Sequence, residues 1–408
     1  MVEYIFFYKD IIVGGCELLI EKVSKQIVKL GDAGETRVKV LCNAIDGGML
    51  ERFKGSGVEI CQISNWESNK ELRDYISSEN EVRMVAFFWE DFVRLYYLKN
   101  KKMKTILYAV HFQVLAVGAN CRFPFLKQLL QIIGGKSIYE LLLAGKILCM
   151  DEQTVRYTQN YFRKAFLEDT SIYKIVRIPI NEVAVKREQL EKRAQATEFN
   201  VLAIARAEFP FKGYLLGLID FIAGQENKEN LHLDIISYGP DIDILERKVK
   251  ALDEETKKII TLHGKVDYDA LGQFYDKAKL YIGMGTTVLD AAQRGIISIP
   301  VVPYTEELTA DKFFHEDGSV LAVDRKLPNY IINLWNEVRG LDSGKYSEFS
   351  EKSRDAVKRF YRVEKTVQQI INIFSVADDD RFSLKICFFK YLNSVQYLLY
   401  QKFYKKVR

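Results

Sequence analysis

The sequence predicts an α/β protein built from two parallel-sheet domains. Three observations carry that expectation. Short apolar runs alternate with longer amphipathic ones, the signature of βα units. The alternation stops over a charged stretch at 181–198 and then restarts. The chain has 408 residues, which suits two ordinary domains of roughly 100–200 residues each. Hydrophobic residues make up 48% and charged residues 28%, so each half can bury a core and wholesale disorder is excluded.

The first half opens on the apolar run 3–8 and turns at Val13-Gly14-Gly15. Leu19, Ile20, Val23, Ile27 and Leu30 then recur at a helical period. Strand patterns follow at 37–42, 83–88 and 105–110, then helical and aromatic material, the run 146–150, a helix from Asp151 and a strand over 174–180. Segment 181–198 has no strand pattern and reads as a linker plus a helix. The second half gives strands at 199–205, 231–238, 261–264 and 279–283, each followed by helical pattern, and a further strand at 298–302. Helical pattern returns from Tyr346 to the end. The predicted division is a first domain over 1–180, a second over 199–360, and C-terminal helices with a basic aromatic tail over 361–408.

Lys and Arg number 59 and Asp and Glu 55, a net charge of +4 that argues against a dedicated nucleic-acid binder. The excess is concentrated: +6 over 101–150 and +7 over 381–408, with −9 on the remainder. The first patch sets Arg122, Lys127 and Lys136 among Phe123, Phe125, Leu126, Leu129 and Leu130, a mixture suited to an anionic membrane surface. No apolar run reaches the ~18–20 residues that span a bilayer. The N-terminus lacks a signal-peptide pattern, so a cytoplasmic location is expected. Six cysteines are scattered singly, and His232, His263 and His315 have no partners at ligand spacing. Neither a metal nor a cofactor is expected.

Three strand-to-helix junctions in the second half carry suggestive chemistry. At the first, Arg206 ends a strand and Lys212-Gly213 follows across a short loop, two cations beside a helix start and suited to a diphosphate. At the second, Gly239-Pro240 ends a strand where a missing side chain lets a ligand approach the backbone. At the third, Gly283-Met284-Gly285-Thr286-Thr287 offers N–H groups and two hydroxyls to an anion, with Asp290 one turn on to accept from ribose hydroxyls.

The series Arg206…Lys212-Gly213, Ser237-Tyr238-Gly239-Pro240, His263-Gly264-Lys265-Val266 and Gly283 through Ala292, with Gly295 and Pro300, resembles the C-terminal half of GT-B glycosyltransferases. The resemblance is to the family-4 group. The turn Gly14-Gly15-Cys16-Glu17 is similar to that family's N-terminal glycine-glycine-any-glutamate, and His111 falls where the family often places a histidine near the donor sugar. The resemblance implies two Rossmann-like domains whose parallel sheets face across a cleft, closed by C-terminal helices. It implies a metal-independent, retaining transfer of a sugar from a UDP- or GDP-linked donor to a glycan acceptor, in capsule, exopolysaccharide or lipopolysaccharide assembly. The acceptor would be lipid-linked, placing the protein on the cytoplasmic face of the inner membrane.

Carried over, Arg206 and Lys212 would neutralise the departing diphosphate. Gly14, Gly15, Gly213, Gly239 and the Gly285–Thr287 turn would line the donor, Val266 would lie beside the nucleobase, Asp290 would hold the ribose and His111 would touch the sugar. Ile282 stands where the family has the first of two glutamates, and Asp290 where it has the second. Three other readings stand beside this one. The first is a GT-B-shaped binding or scaffold protein, for which the Ile282 departure speaks. The second is an epimerase of the same fold, for which no additional carboxylates are found. The third is a nicotinamide-dependent dehydrogenase, from Gly283-x-Gly285-x-x-Val288 with Glu306 as the ribose acid.

Overall fold

The computed structural model describes residues 1–12, 14–32, 34–66, 68–76, 80–98, 102–111, 113–119, 121, 123–180, 182–322 and 330–376. The basic tail at 381–408 and Arg122 lie outside the described residues. Two compact units divide the chain: Met1–Pro179 joined by the segment that begins at Val363, and Ile180–Arg362.

The first unit centres on a seven-stranded parallel sheet. Its strands are β1 (Val2–Phe7), β2 (Thr36–Cys42), β3 (Glu59–Gln62), β4 (Glu81–Ala86), β5 (Met103–Ala109), β6 (Ile147–Cys149) and β7 (Lys174–Ile175), in the order β3-β2-β1-β4-β5-β6-β7. Parallel sheets covered on both faces need strands apolar on both sides. Accordingly, Ile5 and Phe7 of β1 join one core with Met84 and Leu107, while Tyr4 and Phe6 join the other with Val40, Val85 and Tyr108. Helix α1 (Gly15–Leu30) covers the second face through Leu19, Ile20, Val23 and Ile27. Helix α2 (Pro124–Leu143) contributes Leu130, Ile138, Leu141 and Leu142 to the first, with Pro124 in its opening turn, where the missing N–H has no intrahelical partner to lose.

The second unit holds a five-stranded parallel sheet of β8 (Phe199–Arg206), β9 (Leu231–Tyr238), β10 (Ile260–His263), β11 (Leu280–Gly283) and β12 (Ile297–Pro300), in the order β10-β9-β8-β11-β12. Helix α3 (Arg187–Gln195), which the sequence placed in the linker, belongs to this unit: Arg193 donates to the carbonyls of Arg294 at 2.6 Å and Tyr275 at 3.0 Å. Helix α4 (Tyr214–Ala223) packs Leu215, Leu218, Ile219 and Ile222 against Val201, Ala203 and Leu233. On the opposite face α5 (Thr286–Gln293) and α6 (Ser343–Tyr361) bury Val288, Leu289, Ala292, Val357 and Tyr361 against Leu202, Ile204 and Tyr281.

Helix α7 (Val363–Val376) lies in the segment expected to carry C-terminal helices. It returns to the first unit because its apolar stripe completes that unit's second face: Val367, Ile370 and Phe374 are fully buried with Tyr4 and Phe6. Thr366 Oγ1 donates to the Arg177 carbonyl at 2.9 Å, and Lys104 Nζ to that of Phe374 at 2.9 Å. The expected strand over 174–180 is shorter, forming only at Lys174–Ile175.

In both sheets the strand succession reverses beside the unit's first strand, between β1 and β4 and between β8 and β11. Open α/β sheets take ligands outside the carboxyl ends at such a switch point. The five described cysteines are free thiols, and no helix among the described residues is long and apolar enough to cross a membrane.

Candidate functional site

At the switch point of the second unit, Arg206 closes β8 with its side chain exposed, in register with Tyr238 of β9. The loop after it is braced from three sides. The Ala207 N–H donates to the Tyr238 carbonyl at 2.7 Å, the Phe209 N–H to Asp241 Oδ2 at 2.7 Å, and the Tyr304 N–H to the Phe211 carbonyl at 3.1 Å. Lys212 is presented on that braced loop, its Nζ 4.6 Å from the centre of the Phe211 ring. Burial lowers its pKa to about 8, with nearby Glu208 opposing the shift. Among the described residues neither Arg206 nor Lys212 has an ion-pair partner, so both positive charges are available to an anion.

The turn from β11 into α5 lies beside them. It is tied to β8 by Thr287, whose Oγ1 is 3.3 Å from the carbonyls of Ile204 and Met284, and by the Tyr281 hydroxyl, 3.1 Å from the Ile204 carbonyl. Thr287 therefore turns its hydroxyl inward, against the expectation that it faces an anion. The Gly285 N–H is also taken, by the Val320 carbonyl at 2.9 Å. What the turn offers is the pair of N–H groups on Thr286 and Thr287 at a helix start with no side-chain cap, together with the exposed Thr286 side chain. Gly285 has φ 78°, in the left-handed region, and this sets the direction of those N–H groups.

Two glycines are explained by packing instead of by a ligand. A side chain on Gly239 would meet the Ala207 carbonyl at 2.5 Å and Arg206 Cγ at 2.9 Å. One on Gly213 would meet the Thr305 carbonyl at 2.5 Å, and the Gly213 N–H already donates to Pro210 at 3.0 Å. Both positions shape the site from behind. Asp290 is half-buried on α5, its Oδ1 accepting from Gln293 Nε2 at 3.2 Å. Val266 is half-buried against the core beside α5. Ile282 is fully buried in the opposite core, paired with Ile299, so its side chain cannot reach a sugar.

Sequence reasoning gave no role to two residues at this end of the sheet, Tyr238, which pairs with Arg206, and Lys265. Tyr238 is 47% exposed at the end of β9, and Lys265 Nζ lies 6.0 Å from its ring centre, adding a third cation. It also missed a carboxylate shared by two histidines: Asp234 Oδ1 lies 2.7 Å from His263 Nε2 and 3.4 Å from His232 Nε2. The hydrogen bond to Asp234 raises the His232 pKa against the effect of burial. Glu306 lies on the loop after β12, its backbone against Gly213 and Gly217, far in topology from the ribose acid of a dinucleotide fingerprint.

In the first unit, Gly14 and Gly15 begin α1 as expected. A side chain on Gly14 would strike Glu17 Oε2 at 2.5 Å, whereas Gly15 faces open space. Glu17 thus folds its carboxyl back over the turn, where burial raises its pKa against hydrogen bonds from its own N–H and Tyr8. His111 follows β5 by two residues and its Nδ1 accepts the Gln113 N–H at 3.2 Å, leaving the ring proton on Nε2. Although the residue is exposed overall, desolvation of the ring holds its pKa below the ordinary histidine value.

No protein-family model matches the chain, and no curated protein does. Solved structures match in fold. A glycosyltransferase of Rickettsia africae gives a TM-score of 0.62 at 12% identity, over 91% of this chain and 97% of that one. Anabaena HepE in complex with UDP-glucose gives 0.59 at 13% identity, over 91% and 99%. The lipopolysaccharide outer core galactosyltransferase WaaB gives 0.60 at 12% identity, over 91% and 99%. Two α/β units with these strand orders form the GT-B fold.

Proposed function

We propose that the protein is a metal-independent glycosyltransferase that moves a hexose from a nucleoside-diphosphate sugar, UDP- or GDP-linked, to a glycan acceptor. The observation that carries this reading is the cluster at the β8/β11 switch point: two cations with no ion-pair partner among the described residues, beside two helix-start N–H groups. Such a cluster matches a diphosphate in charge, and it acts on the leaving group, where negative charge grows in the transition state. Arg206 and Lys212 supply the charge that a metal would otherwise bring. Asp290 accepts from the ribose hydroxyls and Val266 flanks the base; in the first unit, the His111 Nε2–H is a donor suited to a sugar hydroxyl. HepE, a structural neighbour, is seen with UDP-glucose, which supports the donor class.

Retention of configuration is part of the proposal, taken from the sequence resemblance. With Ile282 in the core, the sugar hydroxyls fall to other groups, and the exposed Thr286 hydroxyl is our choice. The acceptor is proposed to be lipid-linked, in polysaccharide assembly at the cytoplasmic membrane face. Helix α2 supports this: it carries apolar residues around its circumference, yet Phe125 is 80%, Ile132 51% and Leu143 58% exposed, beside exposed Lys136.

Calorimetric titration with UDP, GDP and CDP, followed by donor hydrolysis with the matching sugars, tests the reading. Arg206→Ala and Lys212→Ala should each lower turnover by on the order of 10²–10³. Asp290→Ala should weaken nucleotide binding by roughly 1.5–3 kcal/mol, and Asp290→Glu should keep much of the affinity. Binding without any turnover of any donor would favour the scaffold reading.

A further inference from the structure

A cavity of about 430 Å³ opens in the second unit, within the size range of small-molecule sites. Its apolar floor is Ile180, Val357 and Tyr361, all buried. Its rim carries three cations, Arg354, Lys358 and Arg362, against one acid, Glu182. Arg362 is committed to Glu182 at 3.3 Å, and Lys358 only loosely to Asp355 at 3.8 Å. Arg354, half-buried, has no partner among the described residues. An apolar floor beneath a net positive rim suits an organic anion with an apolar body.

The cavity is connected to the candidate nucleotide site by one buried side chain. Gln293 lines it and is 7% exposed. Its Oε1 accepts the Val183 N–H at 3.2 Å, and its Nε2 donates to Asp290 Oδ1 at 3.2 Å. Both ends of the amide are therefore in use, one on the cavity wall and one on the carboxylate assigned to the ribose. An anion seated in the cavity can accept from Gln293 Nε2 in place of Asp290. Asp290 then loses one of the contacts that orient it.

We propose that this cavity binds a small amphipathic organic anion and that its occupant weakens nucleotide binding by drawing Gln293 away from Asp290. The second half rests on Asp290 being the ribose ligand; the first does not. Gln293 acts here as a positioning residue. By linkage, nucleotide must weaken the occupant by the same factor.

The probe is 8-anilinonaphthalene-1-sulfonate, followed by its fluorescence on the intact folded chain, with uncharged N-phenyl-1-naphthylamine as the control. The sulfonate should bind more tightly than the amine. The double variant Arg354→Met, Lys358→Met, which keeps the side-chain stems, should raise its Kd at least fivefold while leaving the amine unchanged. At saturating sulfonate the Kd for UDP should rise severalfold to a plateau, and Gln293→Met should abolish that rise while weakening sulfonate binding only by the loss of its one hydrogen bond, less than the Arg354→Met, Lys358→Met double variant does. Wild-type sulfonate affinity in the double variant overturns the cavity. Mutual exclusion of sulfonate and UDP without a plateau places the probe in the nucleotide site and overturns the coupling. Failure of UDP to bind even without the probe rejects the nucleotide reading and the coupling with it, while the methionine variants still decide the cavity.

Discussion

Lys212 Nζ rests 4.6 Å from the centre of the Phe211 ring, on a loop that withholds water from it and lowers its pKa to about 8. Below that value the lysine is charged and attracts a diphosphate; above it the charge is lost. Nucleotide affinity should therefore fall as pH rises past about 8, by at most about tenfold per unit, since a single proton is involved. Lys212→Arg, which stays charged, should flatten the profile. A flat wild-type profile between pH 7 and 9.5 in calorimetry would remove Lys212 from the site.

Gly239 and Gly15 should respond oppositely to alanine. At Gly239 the new methyl meets the Ala207 carbonyl at 2.5 Å, on a backbone with φ 133°. Gly239→Ala should lose about 1–3 kcal/mol in urea unfolding and displace Arg206, weakening nucleotide binding as well. Gly15 faces open space at the first turn of a helix, so Gly15→Ala should be neutral or slightly stabilising. Equal midpoints for the two variants would contradict these packing assignments.

Asp234 between His232 and His263 makes stability depend on pH in a definite sense. The hydrogen bond to Asp234 raises the His232 pKa; its contribution is complete below the unfolded value of about 6.5 and fades as pH climbs through the folded one. Asp234 is lowered by its bonds to the two histidines, which outweigh its burial; its contribution is complete above about 3.9 and fades as pH falls further. The two overlap between about pH 4 and 6.5. His232→Gln should lower Tm most near pH 5.5 and progressively less toward pH 8. A pH-independent difference in Tm would assign His232 a packing role alone.

The exposed face of α2 should bind membranes through both its apolar residues and its charge. Phe125→Ser with Ile132→Ser should reduce co-sedimentation with vesicles of anionic phospholipid, and wild-type pelleting should decline with added salt. Equal pelleting with neutral and anionic vesicles would leave the face without an electrostatic role.

Strand and helix order in the second unit was legible because its parallel strands are nearly continuous apolar runs bounded by turns. The candidate cations were legible for the same reason, since Arg206 and Lys212 flank a strand end. Side-chain direction was not. Nothing in Gly285-Thr286-Thr287 tells which threonine faces the Ile204 carbonyl, and that choice depends on β8 lying beside β11. Likewise Gly213 and Gly239 look like ligand-facing glycines until Thr305 and Ala207 are seen against them. Asp234 and His263 are 29 residues apart and meet only through the pairing of β9 with β10.

Helix α7 bears on the order in which the chain can mature during synthesis. The first unit's sheet is in place by Pro179, but Val367, Ile370 and Phe374 arrive only after the whole second unit has been made. Burying such side chains contributes about 1.5–3 kcal/mol each, a large part of a domain's net stability. A nascent chain that ends before α7 therefore keeps the side of its first sheet around Tyr4 and Phe6 uncovered, while Ile180–Arg362, continuous in sequence, can close its core first. On the ribosome, the unit that begins first is completed last.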